Sequence, residues 1–420
     1  MTTIDPGPDM ADRGTATADL DPSMADPRAV ADLLRISEPG DRLLRAAVAT
    51  SGAEPLRGLL DGPRTGLADA LHAAARAVGL AVRSEDIDRA IDRWTLRLPD
   101  LDGARDLRIM RTLGARVIQP GDPDWPAGLR DLGLDEPAGL WVRGHGDLTA
   151  LTAGSIALVG SRAADSYGLH LARSFAWDLV AAGHSVVSGG AYGIDAAAHA
   201  GALAASDRPG VGTIAFMAGG VDRFYPRGNA DLLTAVARTG VVISEAAPGS
   251  TAMRHRFLMR NRLIAATAAA TVVVQAGWRS GALNTANRAA ELLRPVGAVP
   301  GPVTAHDSAG CHRLIREGAA VCVTTADEVR ELVESLTELS AEAAGTSAGD
   351  QQGRLRITDD LTDEQARIYS ALPPRRGTEV AALASRAGLE VPAAMGALAV
   401  LELAGLAERR DHGWVKLRRG

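Results

Sequence analysis

The sequence predicts an α/β protein: a doubly wound parallel sheet with a small helical domain before it and a winged-helix domain after it. Three observations carry that expectation. From residue 155 to about 324, short apolar runs alternate with Gly-bearing turns and helical patterns, the signature of βα units in an open sheet. Residues 27–100 show only helical periodicity, broken by Gly and Pro. After residue 356, three helical patterns precede two short strand-like runs.

The bulk numbers bound the rest. A length of 420 residues argues for several domains. Apolar content of 46% is enough for a full core, but aromatics are only 3%, so Ala, Val and Leu do most of the packing. The net charge of −6 gives no global sign of nucleic-acid binding, and a basic footprint has to be local. Cys311 and Cys322 lack metal-ligand spacing and read as reduced, buried thiols of a cytoplasmic protein. No apolar run approaches the ~20 residues of a membrane span. The N-terminus lacks the order of a signal peptide. No His/Cys/carboxylate set has zinc spacing, so neither a metal nor a cofactor is expected.

In chain order, residues 1–26 are polar and Pro-rich and read as a disordered leader. Residues 27–100 form a helical domain, either a helix-hairpin-helix (or SAM-like) module or a partner surface. Its interspersed acids argue against strong DNA binding. The sheet domain spans residues 105–330. Its opening piece carries short strands at 116–118 and 140–142, separated by prolines, and is expected to pack onto the sheet. Residues 156–159 (IALV) form a strand buried on both faces. Gly160-Ser161-Arg162 turns the chain, a helix runs over 166–182, and Gly183 stops it. A strand at 184–187 leads to Gly189-Gly190 and a helix bearing Asp195 and His199. Further strands fall at 212–217, 240–244, 271–275 and 296–300. A loop at 221–229, a basic loop at 251–262 and a turn at Ser280-Gly281 lie between them. Residues 331–356 are a flexible linker. Residues 357–420 are the winged helix, with Thr362 capping its first helix and a hairpin across Asp411-His412-Gly413. Its third helix has Glu402 as its only charge, a poor reader of base edges. Arg409, Arg410, Lys416, Arg418 and Arg419 are left to touch phosphates.

Both Gly-bearing turns lie at strand C-terminal ends, the edge where open sheets bind ligands. Gly160-Ser161-Arg162 has neither dinucleotide-fingerprint nor P-loop spacing. Its backbone N–H groups at a helix N-terminus, with Arg162, suit a phosphate. A plain βα turn would use the same residue types; a second anion-friendly turn on the same edge favours phosphate. Gly189, Gly190 and Gly193 allow close backbone approach. Asp195 and His199 share a helix face and could form an acid–base pair. With no nucleophile beside them, a supporting role is expected instead.

The strongest signal lies between Glu245 and Glu291. No acid occurs there, while Arg254, Arg256, Arg260, Arg262, Arg279 and Arg288 do, with Phe257 among them. Arg223, Tyr225 and Arg227 repeat the pairing of cation and ring one strand earlier. Cations with interleaved aromatics are the pattern that tracks a single-stranded polyphosphate chain.

These residues resemble a known family. Gly160-Ser161-Arg162, the run SGGAYGIDAAAHAGAL, Tyr225-Pro226 with Asn229, Arg260-Asn261-Arg262-Leu263-Ile264-Ala265 and Ser280-Gly281-Ala282-Leu283-Asn284-Thr285-Ala286 are similar to the motifs of the DNA-processing protein A (DprA, or Smf) family. Val299-Pro300-Gly301 and Ser308-Ala309-Gly310 fit it too. The resemblance covers about residues 117–320 and implies a Rossmann-like domain that binds single-stranded DNA without hydrolysing it. It further implies a homodimer through that domain. It also implies loading of RecA past single-strand-binding protein during DNA uptake in natural transformation. The implied DNA contacts are Gly160, Ser161, Arg162, Arg223, Tyr225, Arg227, Asn229, Arg254, Phe257, Arg260, Asn261, Arg262, Ser280 and Gly281. Gly189, Gly190, Gly193, Asp195 and His199 shape the pocket. Tyr192 stands where the family usually has Arg, Gln275 where it has Glu, and Leu258-Met259 replaces its Pro. The competing expectation is an enzyme on the same edge, resembling nucleotide phosphoribohydrolases of the Lonely-guy type. Their Pro-Gly-Gly-x-Gly-Thr turn does not occur in this sequence. A pure interaction scaffold is the third.

Overall fold

The computed structural model describes residues 26–206, 210–334, 362–373, 377–404, 406–410 and 413–417. The expected leader, nearly all of the linker, Asp411-His412, Arg418 and Arg419 lie outside the described residues. The chain divides into two compact units, residues 1–343 and 344–420.

Among the described residues, six helices open the first unit: α1 (Pro27–Ile36), α2 (Arg42–Ser51), α3 (Ala53–Leu60), α4 (Arg64–Ala77), α5 (Ser84–Thr95) and α6 (Gly103–Thr112). Carboxylates cap three of them, since Asp26, Asp41 and Asp102 each accept from backbone N–H groups of the first turn. On α5, Ile87, Ala90, Ile91 and Trp94 recur at helical spacing and are buried. The helical segment is not insulated from the sheet region. Leu33, Trp94 and Met110 share one core with Trp141, Met217, Leu233 and Val242 of the strands and helices after residue 115. Arg45 pairs with Glu136 across the same boundary.

The sheet region runs in order through β1 (Ala115–Ile118), β2 (Leu140–Gly144), α7 (Leu148–Thr152), β3 (Ile156–Gly160), α8 (Ser166–Ala181), β4 (Val186–Ser188), α9 (Ile194–Ala205), β5 (Thr213–Phe216), α10 (Ala230–Thr239), β6 (Val241–Ser244), α11 (Arg254–Thr267), β7 (Ala270–Gln275), α12 (Ala282–Glu291), β8 (Val296–Ala298), α13 (Ala309–Arg316) and β9 (Val321–Cys322). The nine strands lie in the order β1-β2-β6-β5-β4-β3-β7-β8-β9. Pairing is parallel from β6 through β9 and antiparallel where β1 and β2 join at β6. The opening piece therefore extends the sheet rather than lying on it. Alternate residues of β3 enter opposite cores: Ile156 and Leu158 pack with α8 and α9, Ala157 and Val159 with α11 and α12. That explains a strand apolar at every position. Cys311 is buried as expected, but Cys322 is exposed because β9 is the sheet's edge strand. Among the described residues, no helix is long and apolar enough to cross a membrane.

The second unit contains α14 (Asp363–Ala371), α15 (Val380–Ala387), α16 (Val391–Leu403) and a hairpin of β10 (Ala407–Arg410) and β11 (Gly413–Lys416). Thr362 and Gln365 form a capping box at α14. Gly388, at φ +62°, ends α15 in the left-handed region. Ile368, Leu383, Leu398 and Trp414 form its core. Three helices and a wing make this a winged helix.

Candidate functional site

The strand order locates the site. The chain builds outward from β3 through β4, β5 and β6, then returns to place β7 on the other side of β3. Such a reversal opens a crevice beyond the strands' C-terminal ends. A cleft of about 950 Å³ lies there. Gly160, Ser161 and Arg162 line it after β3, Ala191 and Asp195 after β4, and Tyr225 after β5. Arg254, Phe257, Arg260 and Asn261 of α11 line it too, with residues 277–281 after β7.

Glycines let these segments meet. A β-carbon on Gly160 would fall 2.4 Å from Ile194 Cγ1. Gly193, at φ +76°, lies so close to the first turn that its β-carbon would be 2.1 Å from the Ser161 carbonyl oxygen. Gly189 lies against Arg260. The turn between β4 and α9 is held from behind by Asn229, whose Nδ2 donates to the carbonyls of Gly190 and Ala191, each at 3.0 Å.

The expected basic loop at 251–262 is instead helical from Arg254 onward. The helix sorts its own charges. Arg254, Phe257, Leu258, Asn261 and Ile264 recur at three- and four-residue steps and face the cleft, with Arg260 beside them. Arg256 turns away and pairs with both carboxylate oxygens of Glu38 at 2.9 Å. Arg262 also turns away, and its Nη2 donates to Glu245 at 3.0 and 2.8 Å. The structure thus brings Arg254 and Arg260 to the cleft and directs Arg256 and Arg262 into ion pairs.

Arg260 is the unusual group. It is buried, and its Nε and Nη1 have no hydrogen-bond partner among the described residues. Asp195 lies 4.0 Å away, beyond hydrogen-bond reach. Burial pushes the guanidinium pKa down; Asp195 opposes that shift and Arg162 adds to it. A buried cation with free donors is costly until an anion completes it. Arg162 is exposed, with its guanidinium 4.4 Å from the Phe257 ring centroid, while that of Arg260 is at 5.9 Å. Tyr225 meets the same ring at 6.1 Å and 58°. Two cations and two rings therefore form one cluster.

The supporting residues are plainly placed. Asp195 accepts from the Ala191 N–H at 3.2 Å, and burial raises its pKa against the pull of Arg260. His199 lies in the interior, away from the cleft lining. Its Nδ1 is 2.7 Å from Thr213 Oγ1, whose hydroxyl donates to the Val186 carbonyl, so Nδ1 carries the hydrogen. Burial, then Arg260, lowers the His199 pKa to about 3 and keeps the ring neutral. Asn261 Nδ2 reaches the Gly281 carbonyl at 3.4 Å and Asn284 at 3.3 Å, tying α11 to α12. Gln275 hydrogen-bonds Asp165 and fixes the start of α8. Arg223 and Arg227 are exposed and do not line the cleft. Arg279, one of the cations of the acid-free stretch, lines it, and so do Trp278, His306 and Asp307, which the sequence did not single out. Their signal was position: every turn after a parallel strand's C-terminal end lies on the ligand edge. Among the described residues, no group of three or more His, Cys, Asp or Glu could hold a metal ion.

The family model for DNA recombination-mediator protein A matches residues 116–334, and that for the DprA winged helix domain matches residues 354–413. The chain belongs to the DNA recombination-mediator protein A family. A Mycobacterium tuberculosis protein assigned the name DNA processing protein DprA is 41% identical over 409 residues, covering 94% of this chain and 96% of that one. Escherichia coli protein Smf is 35% identical over 288 residues, covering 68% and 73%. Among solved structures, the X-ray structure of DNA processing protein A from Streptococcus pneumoniae is 28% identical, with a TM-score of 0.59. The likeness covers 73% of this chain and 98% of that one.

Proposed function

We propose that this cleft binds single-stranded DNA and that the chain is a cytoplasmic recombination mediator. In this reading it protects incoming strands during DNA uptake and loads RecA past single-strand-binding protein. It acts as a homodimer through the sheet domain and has no catalytic step. The observation that carries the reading is one cluster in the cleft: exposed Arg162 over the Phe257 ring, Tyr225 against the same ring, and Arg260, a buried cation with unpartnered donors, in the wall. Phosphates of one strand complete the cations while bases lie on the rings. Family membership supports the mediator role. The supporting arrangement of Asp195 and His199 favours binding over turnover: the imidazole is neutral, enclosed and away from the cleft.

The test is fluorescence anisotropy of a labelled oligonucleotide at several salt concentrations. Arg162→Ala with Arg260→Ala is expected to weaken binding by roughly a hundredfold, at ~1.5 kcal/mol or more for each charged hydrogen bond. The slope of log K against log salt is expected to become shallower by about 1.4, at ~0.7 per phosphate. Circular dichroism checks that the variant is folded. Unchanged titration curves from a folded variant would exclude this cleft as the binding site.

A further inference from the structure

We propose that Trp278 is a base-stacking residue, forming a second aromatic subsite in the cleft beyond Phe257 and Tyr225. The inference rests on the single-stranded DNA reading and extends it to a residue that the family motifs do not include.

Exposure is the first argument. Trp94, Trp125, Trp141 and Trp414 are buried in cores, whereas Trp177 on α8 and Trp278 each keep 47% of their surface exposed, and of these two only Trp278 lines the cleft. Large aromatic side chains left in water cost solvation free energy unless something covers them.

Preorganisation is the second. The guanidinium of Arg313, on α13, lies 4.9 Å from the Trp278 ring centroid and so occupies one face of the indole. Such a cation stiffens the ring and leaves the other face for a second planar group. The loop that carries Trp278 is anchored to the same helix: Gly310 N–H donates to the Ala276 carbonyl at 2.7 Å. Ring and backing therefore belong to one rigid piece, which lowers the ordering cost of binding.

Chemistry is the third. Trp278 is followed by Arg279, which is exposed and also lines the cleft. A ring beside a cation repeats the arrangement of Phe257 with Arg162 and Arg260. One nucleotide offers such a unit two groups, a base for the ring and a phosphate for the cation. Stacking on indole tolerates any base, because every base has a π face.

The experiment uses the full chain, an oligothymidylate and a strand of the same length made of abasic residues. Stacking on one side chain accounts for ~1–3 kcal/mol per base, or roughly 5- to 150-fold. Trp278→Ala is expected to weaken oligothymidylate binding by at least about fivefold and to leave abasic-strand binding at the wild-type value. Trp278→Phe, which keeps a ring, is expected to recover most of the loss. Equal loss on both strands would assign Trp278 a structural role and overturn the inference. So would wild-type binding of both strands by Trp278→Ala, as expected if the residue instead contacts a protein; in that case the single-stranded DNA reading would stand. Failure of the wild-type chain to bind oligothymidylate would remove that reading and this inference with it.

Discussion

A β-carbon at Gly189 would sit 1.3 Å from Arg260 Nη1, inside any tolerable contact distance. The glycine is therefore the seat of a buried guanidinium contributed by α11. Gly189→Ala is expected to displace Arg260 and to weaken oligonucleotide binding as much as Arg260→Ala does, with the secondary structure unchanged. Anisotropy alongside circular dichroism reads both. Wild-type affinity in Gly189→Ala would show that Arg260 relaxes freely. The double-glycine turn was legible from residues 189–190 alone, since adjacent glycines at a strand end mark close approach. What approaches was not legible. Arg260 comes from a distant part of the sequence and meets the turn only through the parallel crossover. Asn229 shows the same limit: its motif marked it as a contact, and the fold gives its amide to two backbone carbonyls.

At the scale of elements, α11 decides how the basic stretch is used. Read as a loop, its arginines were free to follow one strand; as a helix, successive residues point about 100° apart. Two arginines then meet acids outside the cleft. Glu245 accepts from Arg262 and also from the Gly40 N–H at 2.9 Å, which ties α11 and the end of β6 to the α1–α2 connection. Both partners are nearly fully buried. Arg262→Met leaves Glu245 charged and unpaired and is expected to destabilise the chain by roughly 3–5 kcal/mol. Glu245→Leu combined with Arg262→Met is expected to recover most of that loss, because removing both charges removes the desolvation cost. Urea denaturation measures both. Equal stability of Arg262→Met and wild type would contradict the pairing.

Over the whole molecule, the helical segment shares its core with the sheet, and the winged helix forms a unit of its own. On α16, residues 391–403 carry Glu402 as their only charge, and Val391, Met395 and Val400 are exposed. That face offers nothing for base edges. A chain ending at residue 343 is expected to bind single-stranded oligonucleotides within about threefold of the full chain, a difference of ~0.7 kcal/mol. A larger loss would place part of the interface on the second unit.

The sequence by itself determined the periodic features: the βα alternation, the turns at strand ends, the helix caps and the three-helix-and-wing pattern. These are legible because each depends on residues a few positions apart, through the two-residue period of strands and the 3.6-residue period of helices. Only the tertiary structure decided which cations reach the cleft. It also decided that β1 and β2 extend the sheet in the antiparallel sense, and that Trp278 joins the site. The reason is that a side chain's use depends on what packs against its element. The acids that claim Arg256 and Arg262 are Glu38 and Glu245. Glu38 is remote in sequence, and Glu245, though only 17 residues from Arg262, is brought to it only when β6 and α11 pack.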